Sequence, residues 1–248
     1  MTKQEFADLH RPGNPIVLYN IWDAGSAQAV ERAGAKVLAT GSNPLASAQG
    51  FADGEAIGMD GLLRTVGQIV GAVSVPLSVD FESGYASDLS GLAANAKALI
   101  EAGAIGCNLE DQLIGDEGLR EPAEQAERIA AVHAAGLFVN ARTDTFLMAM
   151  KAGEDPNRQE LIKQAIDRGR EYREAGAGCF FIPGLSNSGM ISEIVNALDM
   201  PVNVMRLPGM ISNAELAALG VARISYGPGS WRTAMEHVEA AARDAFTL

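Results

Sequence analysis

Short runs of apolar and β-branched residues alternate along the chain with longer stretches in which apolar residues recur every three or four positions. Glycine, proline, asparagine or aspartate stand at the joins. Eight short runs read as strands, at 16–20, 37–40, 77–80, 106–110, 138–142, 179–183, 202–205 and 223–226. Over 248 residues they recur about every 31 positions, the spacing of βα units in a barrel of about 250 residues. Between them the helical period predicts helices over 24–33, 61–73, 92–102, 121–135 and 159–175. Four of these close on an Ala-Gly pair, at Gly34, Gly103, Gly136 and Gly176, as a left-handed cap before the next strand requires. A last helix from about Gly229 aligns Trp231, Met235, Val238, Ala242 and Phe246 on one stripe, fit to cover this barrel or a neighbour's.

No linker or shift of composition divides the chain, so 1–248 reads as one α/β domain, a (β/α)8 TIM barrel. A doubly wound sheet is the alternative, but the turn after the first strand, YNIWDAGSA, lacks a glycine fingerprint.

Charge narrows the partners. Nineteen Lys and Arg stand against 31 Asp and Glu, a net charge of −12, leaving no basic surface for nucleic acid or for anionic membranes. A small anionic substrate is the expected partner. The chain has no long apolar run, and its start, MTKQEFADLH, carries charge where a signal peptide needs apolar residues, so a cytoplasmic protein is expected. Cys107 and Cys179, in apolar runs, read as buried inert thiols.

In a TIM barrel the chemistry sits at the C-terminal ends of the strands. Those ends carry Asn20, with Asp23 beyond it; Thr40, Ser42 and Asn43; Asp80 and Glu82; Glu110 and Asp111; and Asn140, Arg142 and Asp144. No lysine or histidine falls there, which disfavours a Schiff base or a histidine-rich zinc site. Asp80, Glu82 and Glu110 form a set of hard oxygen ligands whose mutual repulsion a cation would relieve. Mg²⁺ suits it, and Mn²⁺ accepts the same oxygens. Arg142 offers a fork for a carboxylate or an enolate oxyanion. The plainer alternative is a buried ion pair with helix-capping aspartates. Glycine-bearing loops at 183–187 and 227–230 leave phosphate a minor possibility, with Gly229-Ser230 more simply a turn and N-cap.

Three ordered segments, SVDFESGYA (78–86), NLEDQ (108–112) and NARTD (140–144), resemble the metal- and substrate-binding segments of the isocitrate lyase and phosphoenolpyruvate mutase superfamily. Asp23 to Ala27, Thr40 to Asn43 and Gly50 to Asp53 extend the resemblance over essentially the whole chain. It implies a TIM barrel that makes or breaks a C–C or P–C bond beside a 2-oxo acid or its enolate on Mg²⁺. Asp80 would ligate the metal, with Glu82 and Glu110 around it. Ser42, Asn43 and Arg142 would bind substrate, and Asp53 would orient the metal shell or the substrate, making Arg142, Asp53 and Glu110 the catalytic set. A homo-oligomer is also implied, a homotetramer with exchanged terminal helices or a homodimer.

The stretch after the fourth strand, QLIGDEGLREP, departs from the superfamily's lyases. It lacks their Lys-Lys-Cys-Gly-His loop, and it lacks the lysine and polar residue of the phosphonate enzymes. The expected reaction is therefore cleavage resembling oxaloacetate decarboxylation, in which solvent can protonate the enolate. The alternatives are a P–C bond enzyme, resembling phosphonopyruvate hydrolase or phosphoenolpyruvate mutase, and a barrel that binds a metabolite without turnover. A lid at 115–120 bringing in Glu117 or Arg120 is a further expectation.

Overall fold

The strands observed in the computed structural model, which describes residues 1–115 and 118–247, are β1 (Ile16–Leu18), β2 (Leu38–Ala39), β3 (Leu77–Asp80), β4 (Ala104–Glu110), β5 (Phe138–Arg142), β6 (Cys179–Phe181), β7 (Val202–Met205) and β8 (Arg223–Ser225). All pair in parallel, in the order β1-β8-β7-β6-β5-β4-β3-β2. The two open edges, β1 and β2, meet just beyond their ends. There the Ile21 N–H donates to the Ala39 carbonyl at 2.8 Å and the Gly41 N–H to the Ile21 carbonyl at 3.1 Å, closing an α/β barrel.

The helices are α1 (Lys3–Ala7), α2 (Ala24–Arg32), α3 (Ser42–Ser47), α4 (Gly58–Val70), α5 (Leu89–Glu101), α6 (Pro122–Ala135), α7 (Thr145–Lys151), α8 (Gln159–Glu174), α9 (Ser188–Ala197), α10 (Asn213–Ala218) and α11 (Gly229–Ala245). The six expected from the period all form, and the four expected glycine caps take positive φ, from 99° to 120°. The other five run to ten residues at most, too short to print a clear period. Four strands, β1, β2, β6 and β8, stop short of the ends of their apolar runs. Pro183, after β6, has no N–H to add to a ladder, and Asn20, after β1, turns its amide to the neighbouring strand ends at the mouth.

Asn20 holds that mouth together. Its Nδ2 donates to the Thr40 carbonyl at 2.8 Å, and its Oδ1 accepts from the N–H groups of Tyr226 (2.9 Å) and Gly227 (2.8 Å). One buried amide therefore ties the ends of β1, β2 and β8 where regular pairing is shortest. At the opposite end, Phe6, Leu18, Val37, Ala39, Phe138 and Cys179 form a separate apolar cluster. His10 stacks on Phe138 at 4.6 Å there, its Nδ1 3.0 Å from the Phe6 carbonyl. A carbonyl only accepts, so Nδ1 carries the proton, and burial pushes this imidazole down to about 3, the charge on Arg223 adding to the effect.

Both cysteines are fully buried, and burial raises both thiols, Cys179 to about 12. On α11, Trp231 meets Trp22 edge to face, whereas Met235, Val238 and Phe246 further along the stripe are exposed. Among the described residues no helix is long and apolar enough to cross a membrane.

Candidate active site

A cavity of about 690 Å³ opens at the C-terminal end of the barrel. Asn20, Ser42, Asn43, Asp53, Asp80 and Arg142 line its floor and near wall. Leu147, Met150, Phe181, Met205 and Trp231 form an apolar side, and Lys151 and Arg232 lie at the rim. The barrel thus gathers residues from positions 20 to 232 at one place.

Asp80, the last residue of β3, accepts at Oδ2 from the Ser42 N–H (2.9 Å) and at Oδ1 from Asn108 Nδ2 (3.2 Å). Its own N–H donates to Thr40 Oγ1 at 2.8 Å. Of the three expected metal-ligand acids, only Asp80 lines the cavity. Glu82 is turned aside, accepting at Oε1 from the Tyr85 hydroxyl (2.7 Å) and at Oε2 from the Glu55 N–H (2.8 Å). Burial pushes its carboxyl up to about 7, against the pull of the Tyr85 hydrogen bond. Glu110 is committed to Arg142, whose Nη1 lies 2.7 Å from Oε2. Burial raises its carboxyl well above the ordinary range, with Arg142 opposing. Among the described residues no three Asp, Glu, His or Cys side chains converge as a metal centre.

The expected three-acid set is therefore not assembled in this geometry, because two of its members have nearer hydrogen-bond donors. Asp80 alone still fits a hydrated divalent cation. Its carboxylate has lone pairs beyond the two already used, it faces the cavity, and Mg²⁺ commonly binds through one or two carboxylates and water. Asp53, exposed on the same wall, is the second carboxylate within the cavity.

Arg142 at the end of β5 is held as a fork. Its Nε and Nη2 donate to the two oxygens of Asp144, at 2.6 and 2.9 Å. Burial works against its charge, but Asp144, Glu110 and Asp80 overcome that and keep it protonated. Asp144 is anchored in turn, its N–H donating to Asp111 Oδ1 at 2.9 Å, while Tyr172 and Arg168 donate to Asp111 Oδ2. So the plainer alternative is partly realised: Arg142 sits in a buried ion-pair network, and it also faces the cavity.

The loops that carry Asp53 and Glu82 are locked together under strain. Among the described residues the only non-glycine positive φ values are those of Glu55 (64°), Glu82 (49°) and Tyr85 (54°), and all three touch. Glu55 Oε1 accepts from the Ser83 N–H and hydroxyl and from the Tyr85 N–H, which offsets a cost of roughly 1–3 kcal/mol per residue. Gly84 between them has φ 101°, and a Cβ there would lie 2.2 Å from Leu92 Cδ1.

Other expectations land elsewhere. Arg120 pairs with Glu124 at 2.8 Å and does not line the cavity; Glu117 lies outside the described residues. Ser230 does not cap α11, which begins at Gly229; its hydroxyl donates to the Asn20 carbonyl at 2.6 Å because that acceptor faces it across the mouth. Asn187 caps α9 through the Met190 N–H. Glu55, Asn108 and Arg223 were not expected to bear on the site. Asn108 stands in the NLEDQ segment, but a neutral amide beside an acidic pair draws no attention.

The fold and the strand-end acids define a class. The family model described as phosphoenolpyruvate phosphomutase matches residues 6–246, and the chain belongs to the isocitrate lyase and phosphoenolpyruvate mutase superfamily. Membership makes it an enzyme of the lyase or mutase type, acting at a C–C or P–C bond of a small organic acid. A crystal structure of a Burkholderia cenocepacia J2315 protein, provisionally called a phosphonomutase, is 42% identical, with a TM-score of 0.93 over 98% of this chain and 99% of that one. An uncharacterized protein of Mycobacterium tuberculosis (strain H37Rv) is 33% identical over 228 residues, 90% of this chain and 81% of its own length. The 2-methylisocitrate lyase of Escherichia coli (strain K12) is 28% identical over 252 residues, covering 93% of this chain and 84% of that enzyme.

Proposed function

We propose that the protein breaks or rearranges the bond beside the oxo group of a small 2-oxo acid and holds the resulting enolate on the cavity floor. The observation that carries this reading is the convergence of Asp80, Ser42 and Arg142, from the ends of β3, β2 and β5, at one wall of a cavity inside an acidic protein. Arg142, fixed by Asp144 and Glu110, keeps its remaining Nη N–H groups for an incoming carboxylate or oxyanion, a preorganised charge that needs no rearrangement as negative charge develops. Ser42 and Asn43 orient the substrate's oxo acid end, and Asp53, on the same wall, orients the metal shell or the substrate. Asp80 would hold Mg²⁺ or Mn²⁺, which would supply Lewis-acid stabilisation of the enolate oxygen. The apolar side of the cavity keeps water from the developing charge.

For the bond itself, a P–C bond is the first reading. It is supported by the phosphomutase family model, by the likeness to the Burkholderia protein, and by Lys151 and Arg232 at the rim, two cations suited to a dianionic phosphonate. Cleavage of a C–C bond, as in oxaloacetate decarboxylation, is the second. It is favoured by the stretch from Gln112 to Pro122, which has no lysine, cysteine or histidine to act as acid or base. The test is a turnover assay with Mg²⁺ on phosphonopyruvate and on oxaloacetate, reading pyruvate and, for the first, inorganic phosphate and phosphoenolpyruvate. Pyruvate with equimolar phosphate, or phosphoenolpyruvate without phosphate, supports the P–C reading, and pyruvate from oxaloacetate alone the C–C reading. Rates no faster than metal alone on both substrates, with no metal-dependent binding of oxalate as an enolate mimic, would overturn the proposal.

A further inference from the structure

Arg223, on β8, is fully buried in the barrel, and no carboxylate lies within ion-pair distance of it among the described residues. Its Nη2 donates to Asn108 Oδ1 at 3.1 Å, while Nε and Nη1 have no hydrogen-bond partner among the described residues. Because β7, β6 and β5 separate β8 from β4 in the sheet, this bond crosses the barrel interior. An arginine so placed is costly, and apolar residues would pack the barrel better if packing were its whole role.

What it touches gives it a role. Asn108 Oδ1 also accepts from Asn140 Nδ2 at 2.7 Å, and Asn108 Nδ2 donates to Asp80 Oδ1 at 3.2 Å. An amide can turn over, exchanging its oxygen and nitrogen, and Asn140 can turn with it, since no partner among the described residues holds Asn140 Oδ1. Turned over, Asn108 would set its oxygen against the Asp80 carboxylate. A guanidinium only donates and a carboxylate only accepts, so Arg223 and Asp80 are the two ends of this chain whose polarity is fixed, and Arg223 is the end away from the ligand.

We infer that Arg223 is a positioning residue for Asp80: as a donor-only group it locks the Asn108 amide so that its NH₂ faces the carboxylate, fixing the orientation in which Asp80 meets its ligand. This rests on the reading of Asp80 as the cation-holding acid, and it adds a residue at the far side of the barrel that no strand-end motif contains.

The test compares Arg223→Lys, which keeps a donor-only group, with Arg223→Gln, which can present either an oxygen or an NH₂. Mn²⁺ alone is the probe, its binding read by electron paramagnetic resonance, with thermal unfolding as the control for folding. The expected result is a loss of Mn²⁺ affinity of roughly tenfold or more in Arg223→Gln, largely recovered in Arg223→Lys. A folded Arg223→Gln with wild-type affinity overturns the proposal, as do equal losses in the two variants or the failure of both to fold, each of which assigns Arg223 to packing. A second readout is free of the metal: the side-chain NH₂ resonances of Asn108 in the ¹⁵N-labelled protein, assigned by their loss in Asn108→Leu. They should be sharp in the wild type and broadened by turnover in Arg223→Gln. If the wild type binds no Mn²⁺, the reading of Asp80 as the cation-holding acid fails, and these resonances alone decide the role of Arg223: broadening upholds it and unchanged lines overturn it.

Discussion

His10→Phe should remove a defined part of the protein's acid sensitivity. The His10 ring is buried against Phe6 and Phe138 and is held neutral down to about pH 3. In the unfolded chain the same side chain takes up a proton near pH 6.5. Between those values the unfolded state binds one more proton than the folded state, so stability falls as pH falls, by about 1.4 kcal/mol per pH unit. From neutral pH to pH 5 this amounts to about 2 kcal/mol. Phenylalanine keeps the ring contacts, and the Phe6 carbonyl that loses its imidazole partner still accepts from the Leu9 N–H at 3.2 Å. The assay is urea unfolding of both proteins at pH 5, 6 and 7.5. Buried carboxyls at the mouth, such as Glu82 and Glu110, titrate alike in both proteins and cancel in the difference. His10→Phe should therefore gain about 2 kcal/mol relative to wild type on going from pH 7.5 to 5. Parallel pH curves would refute the claim that His10 is neutral and buried when folded.

Asn20→Ala removes one donated and two accepted hydrogen bonds at the mouth and should cost about 3 kcal/mol in chemical unfolding, since each such bond contributes about 1 kcal/mol; a loss under about 0.5 kcal/mol would remove its stapling role. Asp80→Ala should abolish metal-dependent oxalate binding in calorimetry while the melting temperature stays within a few degrees, because both groups donating to Asp80 border the cavity and water can take the place of the carboxylate there; retained binding would take Asp80 out of the site. Gly84→Ala should destabilise the protein by about 1–3 kcal/mol and weaken oxalate binding with it, since the strained loop cannot place a Cβ against Leu92; a neutral effect in thermal unfolding would show that the loop relaxes freely.

The barrel was legible because its period is long-range and redundant. Eight apolar runs and four Ala-Gly stops each point to the same unit, so errors of a residue or two at strand ends do not alter the topology. The site was legible as a set of positions but not as a set of bonds. Asp80, Ser42, Asn43 and Arg142 do share one cavity, as strand-end placement predicts, and Asp53, expected from the family resemblance, lines it too. The direction in which each acid points depends on donors that spacing does not mark: the Glu55 N–H, 27 positions away, turns Glu82 aside together with the nearby Tyr85 hydroxyl, and Arg142 claims Glu110 over 32 positions. Spacing along the chain cannot show which of two acceptors a donor reaches first. Arg223 was illegible for the same reason, being 115 positions from the amide it holds.

The short closure between β1 and β2 has a consequence for how the barrel moves. Elsewhere around the wall neighbouring strands pair over two to five registered residues, but this joint rests on Ile21, Gly41 and the Asn20 amide. A cylinder with one weak joint opens there first, so the Ile21 and Gly41 amides should exchange with deuterium before those of β4 and β5. The residue after Gly41 is Ser42, whose N–H is bonded to Asp80. A ligand seated on that wall therefore bridges the joint, and its occupancy would be recorded as slower exchange at the seam even in a protein kept from turning over.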